Sequence, residues 1–269
     1  MSSASQILAK KLRLHALEMT HLGKSSHIGS ILSICDILAV LYENILHYDN
    51  NIPSLDSRDR FILSKGHAGA GVYAALAEKG FFDVKELKKH YSDGSFLSGH
   101  VSHKNIPGVE LSTGSLGHGL SVASGLAYSA KLNGKEHKII NLMSDGECDE
   151  GSNWEAIMFA SHHKLTNLTT IVDYNKLQSI HPPEKTLSLE PFVDKWKAFG
   201  WQVHEVDGHD HIQLEEVLLK KSSSPKCVIA HTIKGKGVSF MENNNLWHYR
   251  SPQGEEYNKA KEEVEDKLQ

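Results

Sequence analysis

The sequence predicts an α/β protein of three layers, with helices on both faces of a doubly wound, mostly parallel sheet. Three observations carry that expectation. Short apolar runs such as RFILS, HKIINLMSD, LTTIVDYN and PKCVIAHT lack polar alternation, as strands buried on both faces do. Longer stretches with helical spacing separate most of them, so the chain reads as βαβ units with right-handed crossovers. No Pro/Gly/Ser linker or internal repeat divides the 269 residues, which therefore read as one domain, 1–269, able to bury a core without staples.

The first helix is expected over residues 5–22, where Ile7, Leu8, Leu12, Leu14 and Leu17 lie near one face. A Gly/Ser loop, GKSSHIGS, precedes a second helix running to about Leu46. RFILS is a short strand ending in the loop KGHAGAG, and GVYAALAEKG is a helix stopped by Gly80. The small-residue segment LGHGLSVASGLAYSAKLNG is expected to form a helix that opens at Gly114-Ser115 and closes at Asn133-Gly134. HKIINLMSD is the next strand, residues 153–163 the next helix, and LTTIVDYN the strand after it. A helix over 191–199, the strand WQVHEV, the helix HIQLEEVLLKK and the strand PKCVIAHT follow. Beyond Lys234 the chain is polar and irregular, ending in a charged helix.

Composition excludes several functions. A net charge of -4 lacks the basic excess of a nucleic-acid footprint. Cys35, Cys148 and Cys227 lie far apart and form no CxxC pair, so neither a disulfide framework nor a zinc ribbon is expected. The cytoplasm is the simplest setting for such thiols. The N-terminal segment is amphipathic and charged, without the apolar stretch of a signal peptide, and no run is long enough to span a bilayer. Histidine is the outlier at 18 copies, which hints at proton-transfer chemistry, although isolated histidines are more often packed or exposed. His209 and His211 have metal-like spacing but no nearby third ligand.

In an open parallel sheet, ligands bind at the carboxyl ends of the strands. HKIINLMSD delivers Asp145 and Gly146 there, and LTTIVDYN delivers Asn175. The interval holds one crossover helix, so neighbouring strands would bring a carboxylate and an amide oxygen together. That is a partial ligand set for a small hard cation. Glycine lets backbone approach a phosphate, and the following helix N-terminus favours an anion. Taken singly, Asp145-Gly146 reads equally as a turn and Asn175 as a cap. Their joint occurrence favours a metal–diphosphate site.

The segment SDGECDEGSNWEAIMFASHHKLTNLTTIVDYNKLQ resembles the thiamine diphosphate motif in its transketolase version. The likeness extends over nearly the whole chain. SSHIGS, SKGHA, LSGHVSHKNIPGVELSTGSLGHG and IKGKGVSFMENNNLWHYRSP each resemble a transketolase segment. It implies the diphosphate-binding domain of the thiamine diphosphate fold and transfer of a two-carbon ketol unit from a ketose to an aldose, with thiamine diphosphate and Mg2+ (or Ca2+ or Mn2+). By match, the metal falls to Asp145, Asn175 and the Leu177 carbonyl. The cofactor falls to His67, Gly114, Ser115, Leu116, Ser144, Asp145, Gly146, Glu147, Asn175, Ile233 and His248. His27 and His248 take proton transfer at the donor hydroxyl and acceptor carbonyl, and His67 and His100 hydrogen-bond the two-carbon fragment. Glu150 and Glu155 match an acidic pair at a subunit contact. Three positions depart from the family pattern: Ser144 and Tyr249 stand where it has glycine, and Ser115 where it has proline.

Whole transketolases carry a second α/β domain with a glutamate facing the cofactor's pyrimidine. No sequence here is left for it. The resemblance thus implies a separate C-terminal subunit, an α2β2 assembly, and sugar or sugar-phosphate substrates, with no nucleic acid or membrane involved. A 2-oxo acid dehydrogenase or deoxyxylulose phosphate synthase subunit would share the Asp145…Asn175 pair but not the histidines. A non-catalytic subunit retaining the fold is a further alternative. A nicotinamide-binding domain is disfavoured, since no GxGxxG follows a first strand.

Overall fold

The computed structural model describes residues 3–266; residues 1, 2 and 267–269 of the span expected to be one domain lie outside the described residues. Five parallel strands form one sheet: β1 (Arg60–Leu63), β2 (Ile139–Ser144), β3 (Leu168–Tyr174), β4 (Gln202–Asp207) and β5 (Lys226–His231), in the order β1-β2-β3-β5-β4. Strand alternation divides the core in two. Phe61, Leu63, Ile140, Leu142, Ile171 and Val228 face a layer containing Leu12, Leu17, Leu38 and Tyr73. Ile62, Ile139, Met143, Val172 and Ile229 face Leu120, Ala127, Ile157 and Trp196 on the other side. Burial on both faces explains why these strands read as unbroken apolar runs. β4 lies at the sheet edge and is mostly half-exposed.

The helices on the first face are α1 (Ala4–Gly23), α2 (Ile28–Ser33), α3 (Cys35–Val40), α4 (Gly69–Glu78), α8 (His211–Leu219) and α9 (Glu255–Asp266); those on the second are α5 (Gly119–Leu132), α6 (Gly151–His162) and α7 (Phe192–Ala198). α1 starts with a reciprocal cap between Ser3 and Gln6. Among the described residues, no helix is long and apolar enough to cross a membrane, and all three cysteines are buried free thiols.

Two expectations need correction. The second helix is not continuous. It breaks at Ile34 and closes with a π turn at Leu41–Ile45. Ser33, just before the break, is buried and donates its hydroxyl to Asp173 at the centre of the sheet, 2.6 Å away. α5 opens at Gly119, not at Gly114-Ser115. Gly117 sits at φ 87, in the left-handed region that ends helical geometry. A Cβ on Gly119 would lie 2.2 Å from the Ser64 hydroxyl, so this start packs directly on the end of β1.

Candidate active site

Four strand ends, the start of α2 and a turn near the C-terminus enclose a cavity of about 230 Å³. From β2 come Ser144, Asp145 and Gly146; the loop after β3 gives Asn175 and Leu177; β1 runs into Lys65 and His67; Lys234 follows β5. β2 and β3 are neighbours in register, Ser144 against Asp173. The two strand ends therefore touch. Asp145 accepts from its neighbour Gly146 N at 2.7 Å and from Lys176 N at 2.7 Å. Lys176, at φ 58, makes the turn that aims this N–H back. Burial, and then the Asp173 carboxylate, push the Asp145 carboxyl up to about 6. A cation beside it would offset that charge.

Asn175 donates to Asp173 at 3.0 Å, while its amide oxygen accepts from Leu177 N at 3.0 Å. One carboxylate, one amide oxygen and one carbonyl are a hard-oxygen set that fits Mg2+ or a similar ion. Among the described residues, no group of three His, Cys, Asp or Glu side chains forms an alternative metal site. Gly146 has little room for a side chain, since a Cβ there would meet Gln178 Cγ at 2.9 Å.

The four expected histidines meet in this cavity from four separate chain segments. Ring centroids lie 5.2 Å apart for His27–His67, 5.5 Å for His27–His100, 4.9 Å for His27–His248 and 5.7 Å for His67–His248. His27 caps α2 at φ 77, a costly backbone for a non-glycine residue, and its N–H is held by His248 O at 2.8 Å. Burial lowers all four rings, with neighbouring cations and imidazoles adding to the shift at His27, His67 and His248. His27 falls to about 4, His248 to about 3, His67 well below its ordinary value, and His100 in the same direction. All four are neutral near pH 7, each able to donate and accept.

Gly114 and Leu116 also line the cavity, whereas Ser115, Glu147 and Ile233 do not. Ser115 is exposed. Glu147 is fully buried beneath the loop, where it accepts from the Ser64 hydroxyl and from Gly117 N at 2.9 Å. Burial raises its carboxyl. Ile233 turns its N–H to His209 at 2.8 Å. That accounts for His209, which with His211 and Arg13 surrounds Asp36. Glu150 and Glu155 are exposed at and near the start of α6.

Sequence reasoning missed two lysines in the wall. Lys65 is fully buried and ion-paired with Asp173. Lys234 donates to the carbonyls of Leu177 at 2.8 Å and Gln178 at 3.2 Å, bringing positive charge to the loop after β3. Burial, then Lys65, lower Lys234 to about 8. Both lie in segments already singled out, SKGHA and IKGKG. No local signal marked them, since each stands past its strand end in a loop, where a lysine is ordinarily solvated.

Known proteins share this fold. Residues 4–265 match the family "Transketolase, thiamine diphosphate binding domain". An apulose-4-phosphate transketolase subunit of Phocaeicola vulgatus is 39% identical over 98% of this chain and 95% of its own length. The 6-deoxy-6-sulfo-D-fructose transketolase subunit SqwG of a Clostridium species is 39% identical over 87% of this chain and 87% of its own. The crystal structure of transketolase from Campylobacter jejuni superposes with a TM-score of 0.92 at 32% identity, covering 98% of this chain. This chain spans only 43% of that transketolase. With a family match over almost its whole length, this chain belongs to the transketolase thiamine diphosphate-binding domain family.

Proposed function

We propose that this chain, as one unit over residues 1–269, is the diphosphate-binding subunit of a two-subunit transketolase. A separate C-terminal subunit completes it with a pyrimidine-binding domain and its glutamate, in a cytoplasmic α2β2 assembly. The reaction moves a two-carbon ketol unit from a ketose or ketose phosphate to an aldose. The observation that carries this reading is the convergence of Asp145, Asn175 and Leu177 with four histidines in one cavity. Two relatives named as transketolase subunits, each close to this length, support a separate partner. Their names carry a phosphate and a sulfo group. In this chain's cavity both lysines are already engaged, so the group that meets a distal anion falls to the partner.

Asp145, Asn175 and the Leu177 carbonyl hold Mg2+ (Ca2+ or Mn2+ suit the same oxygens). Ser144, Gly146, Gly114, Leu116 and His67 face the cofactor. When bound, thiamine diphosphate supplies the carbanion-stabilising chemistry that breaks and makes a carbon–carbon bond beside a carbonyl. His27 and His248 move protons at the donor hydroxyl and acceptor carbonyl, which a neutral imidazole does at either nitrogen. His248 lines the cavity, and its Nδ1 is buried with no hydrogen-bond partner among the described residues. His67 and His100 donate to the fragment's oxygens as charge develops. Exposed Glu150 and Glu155 lie at the subunit contact.

The test is complementation. With ketose donor, aldose acceptor, thiamine diphosphate and Mg2+, the isolated chain gives no turnover and the added partner restores it. Robust turnover by the chain alone removes the two-subunit reading. Oxidative decarboxylation of a 2-oxo acid in place of ketol transfer removes the reaction.

A further inference from the structure

Building on the ketol-transfer reading, we infer that Tyr249 selects the acceptor by forming one wall of the mouth through which the aldehyde approaches. Tyr249 lines the cavity directly after His248, yet 66% of its surface is open. Its ring stands edge-on to His248 at 4.7 Å between centroids and lies 6.3 Å from His27. These are the two imidazoles assigned to proton transfer. An aldehyde held between them meets the Tyr249 ring with its next carbons.

The ring is not needed for packing. Trp247, 3% exposed, anchors this turn against Phe240 and donates its indole N–H to the Phe240 carbonyl at 3.1 Å. A large aromatic left open beside a polar cavity adds little to the fold, so the ring is free to meet substrate. Between two uncharged acceptors the cations of this wall draw no distinction. Lys65 is paired with Asp173, and Lys234 is held by two carbonyls. Selection therefore rests on shape. The ring admits a short unbranched hydroxyaldehyde and crowds one branched at the carbon next to the carbonyl.

The experiment uses the chain assembled with its partner, thiamine diphosphate and Mg2+, with hydroxypyruvate as donor. Two acceptors are compared, glycolaldehyde and the branched, uncharged 2,2-dimethyl-3-hydroxypropanal. Tyr249→Ala should raise the kcat/KM ratio of branched to unbranched acceptor about tenfold or more, the scale on which one pocket wall discriminates. Tyr249→Phe should leave the ratio within about twofold. An active Tyr249→Ala enzyme with an unchanged ratio overturns the inference, as does an equal loss for both acceptors. A Tyr249→Phe ratio that moves with that of Tyr249→Ala also overturns it, because the hydroxyl would then be the determinant. Failure of Tyr249→Ala to co-elute with the partner assigns the ring to the subunit contact and overturns it likewise. A wild-type assembly that transfers no ketol unit removes the underlying reading, and this inference with it.

Discussion

Replacing Lys65 by methionine should unfold the wall of the site from behind. The Lys65 and Asp173 side chains are 1% and 0% exposed, and their ion pair crosses from the end of β1 to β3. Asp173 also accepts hydroxyl hydrogen bonds from Ser33 and Thr232 and an amide hydrogen bond from Asn175. Burial raises its carboxyl, but Lys65 and the hydroxyls outweigh that, so the net shift is downward. Removing one partner of a buried pair costs about 3–5 kcal/mol, because the other charge stays buried alone. At roughly 2–4 °C per kcal/mol for a chain of about this size, Lys65→Met should melt about 6–20 °C below wild type at pH 7.

The pH dependence gives a second handle on the same pair. In wild type the depressed Asp173 pKa contributes stability that is present above the unfolded carboxylate value and lost as pH falls through the folded one. In Lys65→Met the same carboxyl is buried without its cation, so its folded pKa rises above the unfolded value. The variant then gains stability as pH falls, and the gap between the two proteins should narrow from pH 7 towards pH 4. Adding Asp173→Asn removes the orphaned charge and should recover at least half of the loss. Lys89→Met, which breaks an exposed pair with Glu86, is the control and should shift melting by no more than a degree or two. Differential scanning calorimetry reads all four proteins. A Lys65→Met melting point within 2 °C of wild type, or a gap that widens on acidification, refutes the argument.

Other expectations concern the chemistry. Asp145→Asn should weaken binding of thiamine diphosphate with Mg2+ by about 100-fold or more in calorimetric titration while far-UV circular dichroism stays unchanged, since a neutral amide is a poor substitute for the one carboxylate of the set; unaltered affinity would rule out Asp145 as a metal ligand. His248→Ala in the assembled enzyme should lower kcat by roughly 10²–10⁴, the usual worth of a positioned proton-transfer group, with KM nearly constant; a change confined to KM would make His248 a binding residue. The lowered pKa values of His27 and His248, about 4 and about 3, mean that the unfolded chain takes up protons first as pH falls below 6.5. Stability held above that value is then lost progressively towards pH 4. A double alanine variant should show a flatter melting curve across this window, and an identical slope would show that these rings do not titrate as argued.

The sequence was most legible where one physical rule acted alone. β2, β3 and β5 are covered on both faces, so IINLMS and its counterparts carry no polar alternation, and their ends could be located to within a residue or two. The helix from Ile28 to Ile45 was less legible because its interruption depends on tertiary contacts. Ser33, next to the break, reaches an aspartate 140 positions away, and no local propensity encodes that. α5 was placed too early for a related reason. The glycines of GSLGHG favour a turn, but the helix starts where Gly119 can press on Ser64, a contact made by a strand some fifty residues upstream. In the site, Asp145 and Asn175 could be read because strand ends are predictable and their neighbouring strands place them together. Lys65 and Lys234 could not, since a lysine is ordinarily solvated. Only the folded sheet reveals that one neutralises Asp173 and the other braces the Leu177 carbonyl. Glu147 shows the converse error. A carboxylate two positions past Asp145 looks like a cofactor contact when only the sequence is read, yet it does not line the cavity. The chain turns it inward, where the Ser64 hydroxyl and the Gly117 and Ser144 amides satisfy it, so its work is to fix the loops from which Gly114, Leu116, Ser144 and Gly146 line the cavity.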